Sequence, residues 1–417
     1  MSTVGELARE RAGIQRRVLA VLAAALVLGG LGLSGAITAG GLLAAEVSGN
    51  DAASGLAQTA VVLGGAGLAL PLARLSSRYG RRVGLTCGYG LGLGGAGLAV
   101  LGAGITSFPV LLVGLSLFGG SVAAGLQARF SATDLSAPDR VSRDLSIVLW
   151  MTTVGVVIGP NLAEPAAGTA RWLGLAPLSG MFIWSGVGFA LAALLLATLL
   201  RPDPLLLARR LDDSDRDGGA TVGARAALGT IRRSPPAALA FTAVVLAHAT
   251  MVGLMVMTPL HLNRGGAGLA VVGVVISAHV AGMYLFSPLV GALADAVGRL
   301  AVIASGAVIM ALAGLLAAAA PGDNATTVGA ALFLLGLGWS CCMVAGSSLL
   351  TSSVAVDERP GVQGTTDMSM GLAAATAGAL AGIVFSVWSF AILAVLVAAM
   401  ITPVVAVTLH QMRTAPA

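Results

Sequence analysis

Two stretches of the sequence set soft metal ligands at helical spacing. In HATMVGLMVM, residues 248–257, His248, Met251 and Met255 stand at i, i+3 and i+7 and form one stripe along a helix face. In HVAGM, His279 and Met283 are four apart and also share a face. Imidazole nitrogen and thioether sulfur together favour Cu(I), whereas magnesium or calcium would draw oxygen ligands. Each residue type has a plain structural role as well, methionine as a packing group and histidine as a hydrogen-bonding one. Cys341 and Cys342, beside Met343, offer further soft atoms or serve as small apolar residues. Asp367 is a candidate of another kind: an acid inside an apolar run either carries a coupling proton or pairs with an arginine nearby. His261, next to Asn263 and Arg264 at the end of its run, reads as interfacial.

The elements that must position these residues are membrane helices. Of 417 residues, 57% are hydrophobic and 10% charged, and the mean hydropathy is +0.94, which excludes an ordinary soluble enzyme. Apolar runs near the roughly 20 residues that a bilayer crossing takes recur twelve times between residues 18 and 409. They are continuously apolar rather than alternating, so they predict helices and not barrel strands. The fifth, seventh, eighth and eleventh runs cover 145–167, 237–261, 269–290 and 363–385. His248 and His279 fall about midway along theirs, and Asp367 just inside the end of its own.

All 23 residues counted as Lys or Arg are arginine. With a cytoplasmic N-terminus, all of them except Arg171 and Arg264 fall on the cytoplasmic side, which predicts two cytoplasmic termini and a multi-pass protein of the plasma membrane, the cell inner membrane. The basic balance follows from that orientation and implies no nucleic-acid partner. The first apolar run is too long for a signal peptide and is expected to remain as a helix. The three cysteines all lie inside runs and form no disulfide framework. Without lysine the chain has neither a Walker A motif nor the Asp-Lys-Thr-Gly motif of phosphorylated pumps. What remains is a secondary transporter, not an enzyme, with no cofactor.

The longest polar interval, residues 201–236, separates a first half, 1–200, from a second, 237–417. The halves repeat each other. LARLSSRYGRR follows the second run and GALADAVGR, residues 291–299, follows the eighth; their glycines Gly80 and Gly298 are 218 positions apart (298 − 80). Arg140 after the fourth run and Arg359 after the tenth are 219 apart (359 − 140). Offsets that agree to within one residue in two separate loops predict duplicated six-helix units.

GALADAVGR resembles the Gly-x-Leu-Ala-Asp-x-x-Gly-Arg signature of the major facilitator superfamily. The resemblance implies an all-α integral membrane fold of 12 transmembrane helices in two pseudo-symmetric six-helix bundles, which rock against each other to give alternating access. It also implies a conformational latch formed by Arg78, Gly80 and Arg81 in one loop and by Gly291, Asp295, Gly298 and Arg299 in the other. In the first copy Ser77 replaces the Asp and Ala73 the first Gly, so a weaker latch is expected there. GVVIGP resembles an antiporter motif of the same superfamily, with Gly155, Gly159 and Pro160 as packing and bending residues. Against antiport, Ser116 stands where the fourth helix of such proteins often carries an arginine. Met-x-x-x-Met on the seventh run and His-x-x-x-Met on the eighth resemble the CcoA-like copper importers of the superfamily. That likeness implies copper, as the transported ion, bound by Met251, Met255, His279 and Met283, with His248 adjoining. The rival expectation is proton-coupled transport of a small organic compound, by drug-like efflux or by uptake of a vitamin such as riboflavin. A non-transporting scaffold is the third, and retention of two breakable latch loops speaks against it. The expected partners are the lipid bilayer and a small solute or metal ion, with the chain acting as a monomer.

Overall fold

The computed structural model describes residues 2–50, 53–158, 162–211 and 223–414, and among these there are helices and connecting turns but no strand. In chain order come α1 (Ser2–Ser48), α2 (Ala53–Tyr79), α3 (Arg81–Gly104), α4 (Phe108–Ser131), α5 (Val141–Ile158), α6 (Ala163–Trp172) and α7 (Ser179–Leu199). The short α8 (Pro204–Leu211) and α9 (Ala224–Arg233) follow. The second series is α10 (Pro235–Met255), α11 (Thr258–Arg264), α12 (Leu269–Tyr284), α13 (Ser287–Val297), α14 (Arg299–Ala319), α15 (Ala325–Ser352), α16 (Arg359–Val387) and α17 (Phe390–Thr414). Among the described residues eleven segments are long and apolar enough to cross a bilayer. The remaining predicted run, the fifth, is carried by α5 and α6 on either side of residues 159–161.

The seventh and eighth spans are broken where continuous helices were expected. α10 gives way to α11 at Thr258-Pro259, and α12 to α13 at Ser287-Pro288. A proline has no N–H to donate and its ring crowds the preceding turn, so each helix interrupts there. The hydroxyl before each proline bonds back to the preceding turn: Ser287 Oγ donates to the Tyr284 carbonyl, the one that Pro288 leaves without an N–H, at 2.8 Å, and Thr258 Oγ1 to the Leu254 carbonyl at 2.9 Å. Both breaks lie within a few residues of the methionines singled out above.

By contacts the chain forms two compact units. Unit 1 takes Met1–Ser136, Met151–Leu228 and Ala355–Gly371; unit 2 takes Ala137–Trp150, Gly229–Val354 and Leu372–Ala417. Each unit therefore contains a segment from the other half of the sequence, the first turns of α16 in unit 1 and the first turns of α5 in unit 2. In unit 1, α3 packs on α4 and α7, and α1 on α7. In unit 2, α15 is the central helix, packed against α10, α12 and α14; its middle stretch from Gly338 to Ser348 is buried without interruption.

Candidate functional site

Unit 2 holds the soft-ligand residues. His279 on α12 is fully buried, and its Nδ1 lies 2.8 Å from the Leu332 carbonyl of α15. A carbonyl only accepts, so Nδ1 carries the hydrogen and the neutral ring presents a bare lone pair at Nε2. That nitrogen is buried and has no hydrogen-bond partner among the described residues. A buried acceptor left in this state costs about 1–3 kcal/mol. Met283, one turn along, is also buried. α15 backs this turn closely: a Cβ on Gly336 would lie 2.9 Å from the Met283 amide nitrogen.

His248 has another setting. Its Nδ1 accepts from Trp339 Nε1 at 3.1 Å, and Trp339 in turn meets Tyr284 edge to face at 5.7 Å. Met251 is buried and Met255 half-buried on the same helix. α10 and α12 both pack along α15, and their own mutual contact is slight. The structure therefore brings His248 and the end of α12 together through Trp339, while Met251 and Met255 on α10 and His279 and Met283 on α12 remain two sets on helices that each pack on α15 and barely touch each other. Cys341 and Cys342 belong elsewhere: both face Gly306 of α14, and Cys342 Sγ donates to the Ile303 carbonyl at 3.7 Å. His261 stacks on Phe390 at 3.9 Å. Among the described residues no three His, Cys, Asp or Glu side chains converge, so a metal held here would depend on thioethers.

Unit 1 holds the buried charges. Asp367 on α16 accepts from Arg129 Nη2 of α4 at 2.5 Å, and both side chains are fully buried. Beside them Arg81 forks onto Asp134, Nε to Oδ2 at 2.8 Å and Nη2 to Oδ1 at 3.2 Å. The same Nη2 reaches Gln363 Oε1 at 2.6 Å. Gln363 and Asp367 are four apart, so one face of α16 meets both arginines. Sequence reasoning singled out Asp367 but missed Arg129. The signal was present in AAGLQARF, where a charge interrupts an otherwise apolar and small-residue run.

The two loop signatures are built differently. Gly80 and Gly298 hold φ of +93° and +95°, a region that glycine enters freely. In unit 2 the Asp295 carboxylate accepts from the Ser142 and Arg143 amides at 3.1 and 2.9 Å, the N-terminal turn of α5. Gly291 permits that approach, because a Cβ there would lie 2.6 Å from the Ser142 carbonyl oxygen. Arg299 donates to Ser352 Oγ at 2.5 Å and to the Pro138 carbonyl at 3.3 Å. In unit 1, Ala73 meets Gly364 of α16, and Arg78 is exposed with its guanidinium 5.2 Å from the Tyr79 ring centre. Of the antiporter-like motif, Gly155 packs on Gly30 of α1, with a Cβ there 2.7 Å from the Gly30 Cα; Gly159 and Pro160 lie outside the described residues.

The family model described as Major Facilitator Superfamily matches residues 20–273 and 266–416. YdeG of Bacillus subtilis (strain 168), an uncharacterized MFS-type transporter, is 37% identical over 371 residues, 89% of this chain and 86% of its own length. The riboflavin transporter RfnT of Brucella anthropi is 28% identical over 368 residues, covering 88% of each chain. Among solved structures, a bacterial homologue of the iron transporter ferroportin in its outward-facing state superposes with a TM-score of 0.75 at 13% identity, covering 95% of this chain and 99% of that one. The proton:xylose symporter XylE gives 0.71 at 15% identity, with 97% of each chain covered.

Proposed function

Because the chain belongs to the major facilitator superfamily, whose members are membrane transporters and not enzymes, we propose that it takes up copper, as Cu(I), across the cytoplasmic membrane by alternating access. The proposed ligands are Met251 and Met255 on α10 with His279 and Met283 on α12, two sets that the structure holds apart and that the transport cycle would have to bring together, and His248 adjoins them. The carrying observation is the lone pair of His279 Nε2, buried and without a partner while Nδ1 is fixed by the Leu332 carbonyl. A ring oriented through one nitrogen and open at the other is how histidine is presented to metals. Thioethers complete a donor set suited to Cu(I) and poor for hard cations. The breaks at Pro259 and Pro288 support the reading too, since interrupted spans are a common setting for transported ions. In this reading residues 1–200 and 237–417 are the two bundles, 201–236 is a cytoplasmic linker, both termini are cytoplasmic, the chain works as a monomer, and Asp367 is the coupling acid.

Copper content of cells expressing wild type, Met251→Ala, His279→Ala or Met283→Ala, measured by mass spectrometry at equal protein abundance, tests this. Each variant is expected to lose at least about tenfold in uptake rate, since changing even a group that only supports a metal ligand costs roughly 10–100-fold. Equal accumulation in all four overturns copper as cargo. A second reading, uptake of a riboflavin-like organic molecule, draws on the 28% identity to RfnT. Rescue of a riboflavin-auxotrophic strain, undiminished in His279→Ala, would establish it instead.

A further inference from the structure

Unit 1 contains something that unit 2 does not: the interval after α7 has folded onto its signature loop. Asp203 accepts from the Arg82 amide at 2.8 Å, which caps the start of α3. It also accepts from the Leu205 and Leu206 amides at 3.1 and 3.2 Å, which caps α8. The carboxylate lies so close under the Gly80 turn that a Cβ there would be 2.6 Å from its carbon. Six residues on, Arg209 Nη1 donates to the Ser77 carbonyl at 2.6 Å. Its Nη2 reaches Ser77 Oγ at 3.3 Å and the Asp357 carbonyl, just before α16, at 3.5 Å. One short helix thus holds the loop between α2 and α3 with one end and touches the approach to α16 with the other.

Among the described residues the corresponding place in unit 2 is open. A Cβ on Gly298 would meet nothing within 4 Å. A cavity of about 490 Å³ lies there instead, bordered by Pro138, Asp295, Gly298, Arg299 and Leu300. Unit 2 does not need the filling, because Asp295 reaches the amides of α5 directly. Unit 1 has lost both sides of that contact. Position 77, 218 before 295, is Ser; position 360, 218 after 142 as the start of α16 is 218 after that of α5 (359 − 141), is Pro, which has no N–H to give. An acid restored at 77 would therefore find one of its two donors missing. A cation reaching across to carbonyls solves the same problem with the opposite charge, and the end of α2 is where a helix offers carbonyls to a cation.

We infer that the linker helix α8 is a working part of the latch, with Arg209 joining the α2–α3 loop to the start of α16 in unit 1 as Asp295 joins the α8-independent loop of unit 2 to α5. The inference stands on the alternation common to the superfamily and does not depend on which solute moves. Linker and latch are then one device, and anything that pulls α8 away loosens the start of residues 355–371, leaving Arg129–Asp367 and Arg81–Gln363 to hold the rest.

Thr366, fully buried in that segment, serves as the reporter. In a Thr366→Cys background in lipid nanodiscs, alkylation by N-ethylmaleimide is followed by mass spectrometry of the peptide, so that reaction at the exposed Cys87 does not interfere. Arg209→Ala is expected to speed labelling roughly tenfold, the scale of one charge-assisted hydrogen bond. Arg209→Lys, which keeps the charge but not the fork, is expected to fall between. Arg210→Ala, removing the exposed neighbour, leaves the rate unchanged. Thr408→Cys, a buried position on α17, reports general loosening and is expected to stay protected in every variant. An unchanged rate at 366 in both Arg209 variants, or an equal rise at 408, overturns the inference.

Discussion

The first turns of α5, held in unit 2, and the first turns of α16, held in unit 1, occupy repeat-related positions and are fixed by different residues. In unit 2 the glycine is on the loop-bearing helix, Gly291, and packs against Ser146 of α5; in unit 1 it has moved to the incoming helix, Gly364, and packs against Ala73. The pairs correspond at one offset (291 − 73 and 364 − 146, both 218). The carboxylate has moved as well. Unit 2 keeps its acid on the loop, Asp295, and gives Arg299 a serine, Ser352. Unit 1 has Ser77 on the loop and gives Arg81 the acid, Asp134, at the position equivalent to Ser352 (352 − 134 = 218). The repeat thus preserves a close helix approach and one anchored charge, while the residues that supply them trade places. The substitution at Ala73, from which a weaker latch was expected, is matched by its partner.

The largest asymmetry is the fully buried pair Arg129–Asp367, whose equivalents in unit 2 are Ser347 and Leu149 (129 + 218 and 367 − 218). Removing one partner of such a pair leaves an uncompensated charge, at a cost of about 3–5 kcal/mol. Asp367→Ala is therefore expected to give protein that aggregates on mild heating, as read by size-exclusion chromatography. Replacing both groups, Arg129→Met with Asp367→Leu, restores heat resistance because no charge is stranded. If Asp367 is also the coupling acid, the double variant folds and stays monodisperse but carries out no coupled transport. A double variant as heat-sensitive as the single one would show that the pair's geometry, and not its charge balance, holds α16.

The exchanged glycines allow a reciprocal test of intermediate size. Gly364→Ala drives a methyl into Ala73, and overpacking of this kind costs typically about 1–3 kcal/mol. Adding Ala73→Gly returns the space and is expected to recover most of the loss in melting temperature. In unit 2 the matching variants are Gly291→Ala alone and with Ser146→Gly. There the recovery is expected to be smaller, because the Ser142 carbonyl also crowds Gly291 and backbone cannot be trimmed. Equal recovery in both units would reduce the comparison to side-chain volume.

Much of this was legible before any coordinates. Hydropathy gave the spans because backbone in lipid must be helical, and the offset of 218 exposed the repeat. The Gly80 and Gly298 turns follow from local chain geometry, so their motif carries them. What escaped the sequence is nonlocal. Arg129 reads as one more arginine at the end of a run until α16 brings Asp367 to it. Asp203 and Arg209 read as a polar linker because nothing in RPDPLLLARR tells that it returns to Ser77 and Arg82, more than a hundred positions earlier. His279 was found from its spacing to Met283, yet the fixed tautomer that makes its Nε2 available depends on Leu332, a residue with no chemistry of its own.

The smallest effect separates the two loops most directly. Asp295→Asn keeps an acceptor oxygen for only one of the Ser142 and Arg143 amides, turns an NH2 group toward the other and removes the negative charge, which at a helix N-terminus contributes about 0.3–1 kcal/mol by itself. Amide hydrogen exchange at Ser142 and Arg143 is expected to quicken by at least roughly two- to fivefold, the charge contribution alone expressed as a rate, and further at the amide that loses its acceptor. Ser77→Ala removes only the weaker hydroxyl contact to Arg209 at 3.3 Å and leaves the main-chain carbonyl at 2.6 Å in place. Exchange at Gly361 and Val362 is therefore expected to stay as in the wild type. Unit 1 adds a linker side chain acting on backbone to the buried arginine contacts that hold its segment, and a change at position 77 barely touches either. Unit 2 holds its own through the loop side chain, which the change at position 295 weakens directly.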